Sequence, residues 1–446
     1  MNKYIKTLGM VLSAILITVV SLIPAPVITQ AQPNNIEAKS AILVDAQTGQ
    51  ILYEKEADLA LPPASMTKMM TEYLVLEAIN NGDISWDTTT TISDYAYWLS
   101  DNDAFSGIGL RQNKEYTVEE LYTAMAVNSD NATTVALAEL VAGSESEFVK
   151  MMNQKAQEMG LQDAEFVNAT GLSNSDLGEH HPEGTGADAD NYLSAKSVAL
   201  LAYHLINDYP EALDYSSITE SKLDDESFTN WNWMLPGMPG QLEPFGYEGL
   251  DGMKTGWTDM AGYCFTGTAE RNNRRLISVV MQTDSKEARF EETKKLLDYG
   301  FNQTEVKEIF PADYQQEDES TLNVAKGKGK SVEIATDEAI RGVVPSGEEN
   351  PYEIEFTLDK SKLNDDGKLT APIEEGDAVG TAKISYTGEE LFGYITDDIS
   401  NEQAKAQVVT QSNVEKANWF TLTFRAIGDF FSDLFGGIVD WVKGLF

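Results

Sequence analysis

Strand patterns stand at both ends of a long helical stretch, and that arrangement most narrows the folds open to this chain. Near the start, Ala41-Ile42-Leu43-Val44 and Ile51-Leu52-Tyr53 flank a turn at Gln47-Thr48-Gly49, which is a β-hairpin pattern. Far downstream, Cys264 to Ala269 and Leu276 to Thr283 read as strands joined by Arg271-Asn272-Asn273, and a helix from Lys286 to Tyr299 follows. Strands at the two ends with helices between predict an antiparallel sheet whose first and last strands are neighbours in space. The expected class is α/β in the broad sense (α+β), an antiparallel sheet flanked by helices.

Within the helical stretch, Leu61-Pro62-Pro63-Ala64 resists helix, because a proline pushes its predecessor out of the α region. Ser65 then opens an apolar run, Met66 to Ile79, that Asn80-Asn81-Gly82 stops. Residues three apart on a helix share a face, so Ser65 and Lys68 can touch. A serine hydroxyl is a weak nucleophile until a base takes its proton, and a lysine serves when burial or a second cation lowers its pKa. Ser-x-x-Lys by itself is equally compatible with an N-cap serine and a solvated lysine. Further on, Thr117 and Glu120 form a capping box ahead of a helix ending at Asn128. Ser129-Asp130-Asn131 sits in the break before the next helical run, Ala132 to Val141.

The segment 168–191 is loop-like and carries His180-His181 among several carboxylates, but the spacing fits no familiar ligand pattern, so no metal or cofactor is expected. His204 lies in a helical run. No histidine is therefore placed for a Ser-His-Asp triad, which raises the value of Lys68. Lys254-Thr255-Gly256-Trp257-Thr258 precedes the downstream strands. With 32 Lys+Arg against 72 Asp+Glu the net charge is −40, which would repel nucleic acid and fits solubility in a salty medium. The single cysteine, Cys264, rules out an intramolecular disulfide framework.

The N-terminus reads as a signal peptide over residues 1–31. Lys3 and Lys6 precede an uncharged apolar stretch, and Thr29-Gln30-Ala31 offers small residues for cleavage, which Pro24 and Pro26 favour over an uncleaved anchor. After residue 302, a charged linker (313–319) leads to Val332-Glu333-Ile334, 352–358 and 382–386, which alternate with period two and predict a small β-sandwich over 303–412. From Trp419, Phe420, Phe424, Ile427, Phe431, Leu434, Ile438, Val442 and Leu445 fall on one helical stripe, broken by Arg425, Asp429, Asp433, Asp440 and Lys443. A C-terminal amphipathic helix within 413–446, lying in the plane of a membrane surface, is the expectation.

Ser65-Met66-Thr67-Lys68, Ser129-Asp130-Asn131 and Lys254-Thr255-Gly256 occur in the order of the penicillin-recognising serine enzymes. Pro63-Ala64 before the first motif, Asn168-Ala169-Thr170-Gly171-Leu172 and Ala261-Gly262-Tyr263-Cys264 make residues 36–302 resemble the low-molecular-mass penicillin-binding proteins, serine-type D-alanyl-D-alanine carboxypeptidases. The resemblance implies a β-lactamase/transpeptidase-like fold with an all-helical subdomain. It also implies export to the outer face of the cytoplasmic membrane. The partners it implies are peptidoglycan stem peptides ending in D-Ala-D-Ala, and β-lactam antibiotics. By the same resemblance Ser65 would attack the peptide carbonyl, Lys68 would take its proton, and Ser129 would pass a proton to the leaving amine. Asn131 would bind the substrate backbone, and Lys254, Thr255 and Arg289 its terminal carboxylate. The backbone N–H groups of Ser65 and Trp257 would form an oxyanion hole beside Gly256. A β-lactamase is the near rival. The Glu-x-x-Leu-Asn pattern of its deacylating base occurs only at Glu319-Ser320-Thr321-Leu322-Asn323, after Lys254. A slow penicillin-binding sensor or wall scaffold is the alternative of another class.

Overall fold

The computed structural model describes residues 33, 35–317, 319–388, 393–424 and 427. The signal segment 1–31 and the stripe residues Phe431, Leu434, Ile438, Val442 and Leu445 lie outside the described residues. The described residues from 35 onward form one compact unit. Its first sheet is built from β1 (Ser40–Asp45), β2 (Ile51–Lys55), β3 (Leu250–Thr258), β4 (Gly262–Arg271) and β5 (Arg274–Thr283) in the order β2-β1-β5-β4-β3. Every pairing is antiparallel, and β1 lies against β5 with Ile42 opposite Val279. The expected pairing of sequence-distant strands is therefore present.

Side chains of a strand point alternately to its two faces, and here each face meets its own core. Ile42, Val44, Ile277, Val279 and Met281 join the helical side of the molecule. Ala41, Leu43, Leu276 and Val280 join the side covered by α6 (Lys286–Gln303), with Phe290, Leu296 and Leu297. With both faces covered, β1 and β5 read as nearly continuous apolar runs, and each fully buried Leu or Ile contributes about 1.5–3 kcal/mol. The helical side contains α1 (Lys68–Asn81), α2 (Val118–Asn128), α3 (Asn131–Ala142), α4 (Glu145–Glu158) and α5 (Ala195–Asp208). The Thr117–Glu120 capping box is formed, and Gly82, left-handed at φ 80°, closes α1. The chain thus departs from the sequence expectation at the stop: Asn80 and Asn81 are helical, and only glycine adopts the left-handed cap without steric cost.

Beyond α6 the chain is β-rich. Strands β6 (Thr304–Phe310), β7 (Thr321–Ala325), β8 (Ser331–Thr336), β9 (Ile340–Pro345), β10 (Tyr352–Leu358), β11 (Leu369–Thr370) and β12 (Ala378–Tyr386) precede the short helix α7 (Asp397–Gln403) and β13 (Lys405–Thr410). They form a six-stranded sheet, β10-β12-β13-β8-β7-β11, and a two-stranded β6-β9 sheet that share one core. The stretch 313–319, expected as a charged linker, is tied at its start to β8 by Asp313 N–H to Thr336 O (2.9 Å) and Thr336 N–H to Tyr314 O (3.1 Å). Glu319 leads directly into β7, so the Glu-x-x-Leu-Asn match belongs to this sheet.

The β-rich part is fastened to the first hairpin through Gln50, which has no exposed surface. Its amide donates to Tyr352 Oη (2.8 Å) and accepts from Val343 N–H (2.7 Å). A helix begins at 419, with Trp419, Phe420, Phe424 and Ile427 all exposed. Among the described residues no helix is long and apolar enough to cross a membrane.

Candidate active site

Three separated pieces of chain meet at the free edge of β3. The first is the turn Ala64–Thr67, a single 3-10 turn rather than the α-helical start expected from the sequence, with Lys68 opening α1. The second is the α2–α3 junction. Ser129 there adopts the left-handed region at φ 62°, and the Asp130 side chain caps α3 by accepting from Thr133 N–H. The third is β3 with Lys254, Thr255, Gly256 and Trp257. Ala64 sits at φ 50°, a conformation that costs a non-glycine residue on the order of 1 kcal/mol. Two contacts hold it there. Met66 is buried, with its sulfur 3.1 Å from Thr266 Oγ1 of β4. Gly171 presses on the Ala64 carbonyl so closely that a Cβ would lie 1.9 Å from that oxygen.

Lys68 is fully buried, and its Nζ makes three hydrogen bonds: to Ser65 Oγ (3.0 Å), Asn131 Oδ1 (2.8 Å) and Thr170 O (2.7 Å). Asn131 Oδ1 and the Thr170 carbonyl can only accept, and the Asn131 amide is oriented by its donation to Ser106 O (3.2 Å). A neutral lysine therefore spends both N–H groups on these acceptors and turns its lone pair to the Ser65 hydroxyl. Burial holds the Lys68 pKa well below its ordinary value, and the Lys254 charge pushes the same way, while Asp130, Glu72 and Glu145 oppose it. Geometry and electrostatics agree on a lysine able to take the serine proton.

Thr170 is held in place by an asparagine network. Asn168 Oδ1 accepts from Gly171 N–H (2.8 Å) and from the Asn191 amide (3.1 Å), and Glu145 accepts from Ala169 N–H (2.9 Å). Burial raises the Glu145 carboxyl to about 7. One oxygen of that carboxylate holds the loop backbone, and Glu145 is not among the residues lining the cleft over Ser65.

That cleft, about 110 Å³, is lined by Ser65, Ser106, Ser129, Thr255, Trp257 and Arg289 among others. Lys254 is buried, and its Nζ donates to Thr255 O (3.3 Å). Burial pushes its pKa down to about 7, Glu72 counteracting and Arg289 reinforcing the fall. Arg289 is also buried; it donates to Gly256 O at 3.4 Å and lies over the Phe290 ring at 4.7 Å. Its Nε has no hydrogen-bond partner among the described residues, and neither has Ser129 Oγ. A donor and a hydroxyl left unpaired in a buried cleft are costly unless a ligand completes them. A larger cleft, about 950 Å³, opens between the end of α4, α5 and residues 394–402, and none of the residues at Ser65 lines it.

The structure brings together every site residue read from the sequence: Ser65, Lys68, Ser129, Asn131, Lys254, Thr255, Gly256, Trp257 and Arg289. Two of them sit differently from expectation. Asn131, expected to face substrate, is tied through both ends of its amide to Lys68 and Ser106 O. Ser129, expected between Lys68 and the leaving amine, lines the cleft with its hydroxyl unpaired and makes no hydrogen bond to Lys68. The sequence reading missed Glu72, one turn beyond Lys68; the Thr170 carbonyl; and Trp231, whose indole donates to Asn128 O (2.9 Å) under Lys286. A backbone carbonyl has no side-chain signature, whereas Glu72 had a legible one, a carboxylate directly before the apolar run Tyr73-Leu74-Val75-Leu76. His180 of the loop stacks on Tyr95 and Trp98.

Residues 27–285 match the family described as D-alanyl-D-alanine carboxypeptidase, and residues 305–416 match the C-terminal domain of penicillin-binding protein 5. A D-alanyl-D-alanine carboxypeptidase of Bacillus subtilis (strain 168) is 33% identical over 399 residues, 88% of this chain and 90% of the relative. Among solved structures, a peptidoglycan synthesis regulatory factor (PBP3) from Streptococcus pneumoniae is 37% identical, with a TM-score of 0.68 over 85% of this chain and 99% of that one. Penicillin-binding protein D2 from Listeria monocytogenes, in a cefotaxime-bound form, is 34% identical, with a TM-score of 0.51 over 60% of this chain and 98% of that one.

Proposed function

Because this chain belongs to the D-alanyl-D-alanine carboxypeptidase family, serine peptidases of the low-molecular-mass penicillin-binding type, we propose that it removes the terminal D-alanine of peptidoglycan stem pentapeptides through a Ser65 acyl-enzyme, and that β-lactams acylate the same serine. One observation carries the mechanism: Lys68 Nζ lies 3.0 Å from Ser65 Oγ while its other two partners can only accept. Lys68 takes the hydroxyl proton as Ser65 Oγ bonds to the carbonyl carbon of the D-Ala-D-Ala peptide bond. The oxyanion is met by the backbone N–H groups of Ser65 and Trp257. The C–N bond then breaks, Ser129 relaying a proton to the departing amine, and water hydrolyses the ester. Lys254, Thr255 and Arg289 receive the substrate's terminal carboxylate, which pairs the unsatisfied Arg289 Nε.

The test follows both products in one preparation. With a diacylated Lys-D-Ala-D-Ala peptide, free D-alanine should accumulate over many turnovers. With a labelled penicillin, the covalent adduct should persist for minutes or longer, because no aspartate or glutamate is among the residues lining the cleft over Ser65. Rapid repeated penicillin hydrolysis without D-alanine release would favour the β-lactamase reading.

The proposal extends to location: an exported enzyme held peripherally on the outer face of the cytoplasmic membrane by the stripe that begins at Trp419. Its first four apolar residues are exposed on the protein, and burying about six to eight such side chains at an interface contributes several kcal/mol, at ~1.5–3 kcal/mol for each full burial and less for partial insertion. Protein ending at Asn413 should move from the membrane fraction to the soluble one and keep its D-alanine release. Truncated, signal-cleaved protein that still pellets with membranes would sink the anchor.

A further inference from the structure

Glu72 is the one acidic residue in α1 that is buried, 3% exposed, and it lies four residues after Lys68 on the same helical face. Its carboxylate accepts from Tyr122 Oη of α2 at 3.5 Å. The charged groups facing it are Lys68 from its own helix and Lys254 from β3. Lys254 in turn faces Glu72, the repelling Arg289 of α6 and the repelling Lys68 of α1. Tyr122 faces Glu72 and, beyond it, Tyr215 and Glu211.

An ammonium buried as deeply as Lys254, with a single 3.3 Å hydrogen bond among the described residues and an arginine nearby, would give up its proton unless a negative charge compensated it. Glu72 and Lys254 are both buried, and each has one long described hydrogen bond, to Tyr122 (3.5 Å) and to Thr255 O (3.3 Å). They form no direct ion pair among the described residues, and their opposite charges attract through a low-dielectric interior. We propose that Glu72 is a positioning residue that keeps Lys254 in its ammonium form, so that the cleft meets the substrate's terminal carboxylate with a charge. This deepens the carboxypeptidase reading and rests on it. Burial raises the Glu72 carboxyl to about 7, with Lys254 the strongest charge opposing the rise, so the pair gains and loses its mutual support near neutral pH.

The sign is definite. Removing the carboxylate charge lowers the Lys254 pKa, so the ammonium is lost at lower pH. In the Glu72→Gln variant, whose amide oxygen still accepts from Tyr122, the alkaline limb of kcat/KM for D-alanine release should move about one pH unit towards acid. The change should sit in KM, because Lys254 binds the carboxylate. Glu72 also raises the Lys68 pKa, so the acid limb should move towards acid as well, and between the two limbs the variant should match wild type. An unmoved alkaline limb, or an equal loss of activity at every pH, overturns the role. Should Glu72→Gln fail to fold, Tyr122→Phe carries the test. It removes a donor that favours the charged carboxylate, and it should shift the limb the same way by less; no shift overturns the role again. Wild-type protein that releases no D-alanine at any pH sinks the carboxypeptidase reading and this inference with it, whereas an active wild type with an unmoved limb sinks Glu72 alone.

Discussion

Ser65→Ala protein should take up no labelled penicillin and release D-alanine at least ~10⁴-fold more slowly than wild type, since the chemistry loses the atom that forms the ester. It should do so while folded. Ser65 is only half-buried in its turn, and the substitution leaves one Lys68 hydrogen bond unmade, a loss of about 1 kcal/mol. Met66 under Thr266 and Gly171 against Ala64 are untouched, so the turn keeps its shape. Peptide mapping of the wild-type adduct should find the label on Ser65. An adduct that survives in the variant would move the nucleophile elsewhere.

Lys68→Ala should slow acylation by at least ~10²-fold, the usual scale for losing a general base, and its effect should depend on pH in a way that identifies the role. The wild-type rate should fall as pH falls, because the free amine that accepts the Ser65 proton is replaced by ammonium. Burial, with Lys254 assisting, moves that fall well below the pH at which an ordinary lysine titrates. In Lys68→Ala this acid limb should vanish, leaving a slow rate that does not follow a lysine titration. A variant that keeps the wild-type limb would mean that another group is the base. A cost in stability accompanies the change, because Asn131 Oδ1 and Thr170 O lose their buried donor, at roughly 1–3 kcal/mol for each unsatisfied group. The melting temperature should therefore drop in Lys68→Ala more than in Ser65→Ala.

On the proposed roles, an acid limb set by Lys68 and an alkaline limb set by Lys254 should frame the pH range in which the site works. The lowered pKa values share a first cause, burial, but the neighbours differ. Lys68 is pushed down further by a cation, whereas Lys254 is supported by Glu72. A base must be neutral and a carboxylate receptor must be charged, so two lysines in one pocket need different company.

Local pattern was enough for whatever depends on a few neighbouring residues. The Thr117–Glu120 box, the β1–β2 and β4–β5 hairpins and the break at Ser129 follow from spacing and turn chemistry, and the structure has them all. The pairing of β1 with β5 was also legible, because strand patterns at the two ends of a helical stretch predict an antiparallel sheet whose first and last strands are neighbours. The sequence alone determined the nucleophile candidate as well, since three residues of helical or 3-10 backbone bring Ser65 and Lys68 together whatever surrounds them. Only the tertiary structure decided what Lys68 would be. Its pKa depends on burial, on Lys254 some 186 positions away by numbering (254 − 68), and on a backbone carbonyl at Thr170 held by Asn168 and Asn191. It also decided that Asn131 would accept from Lys68 and that Glu72 would be buried one turn beyond it. Electrostatic energy depends on distance and on the exclusion of water, and both are properties of the assembled pocket.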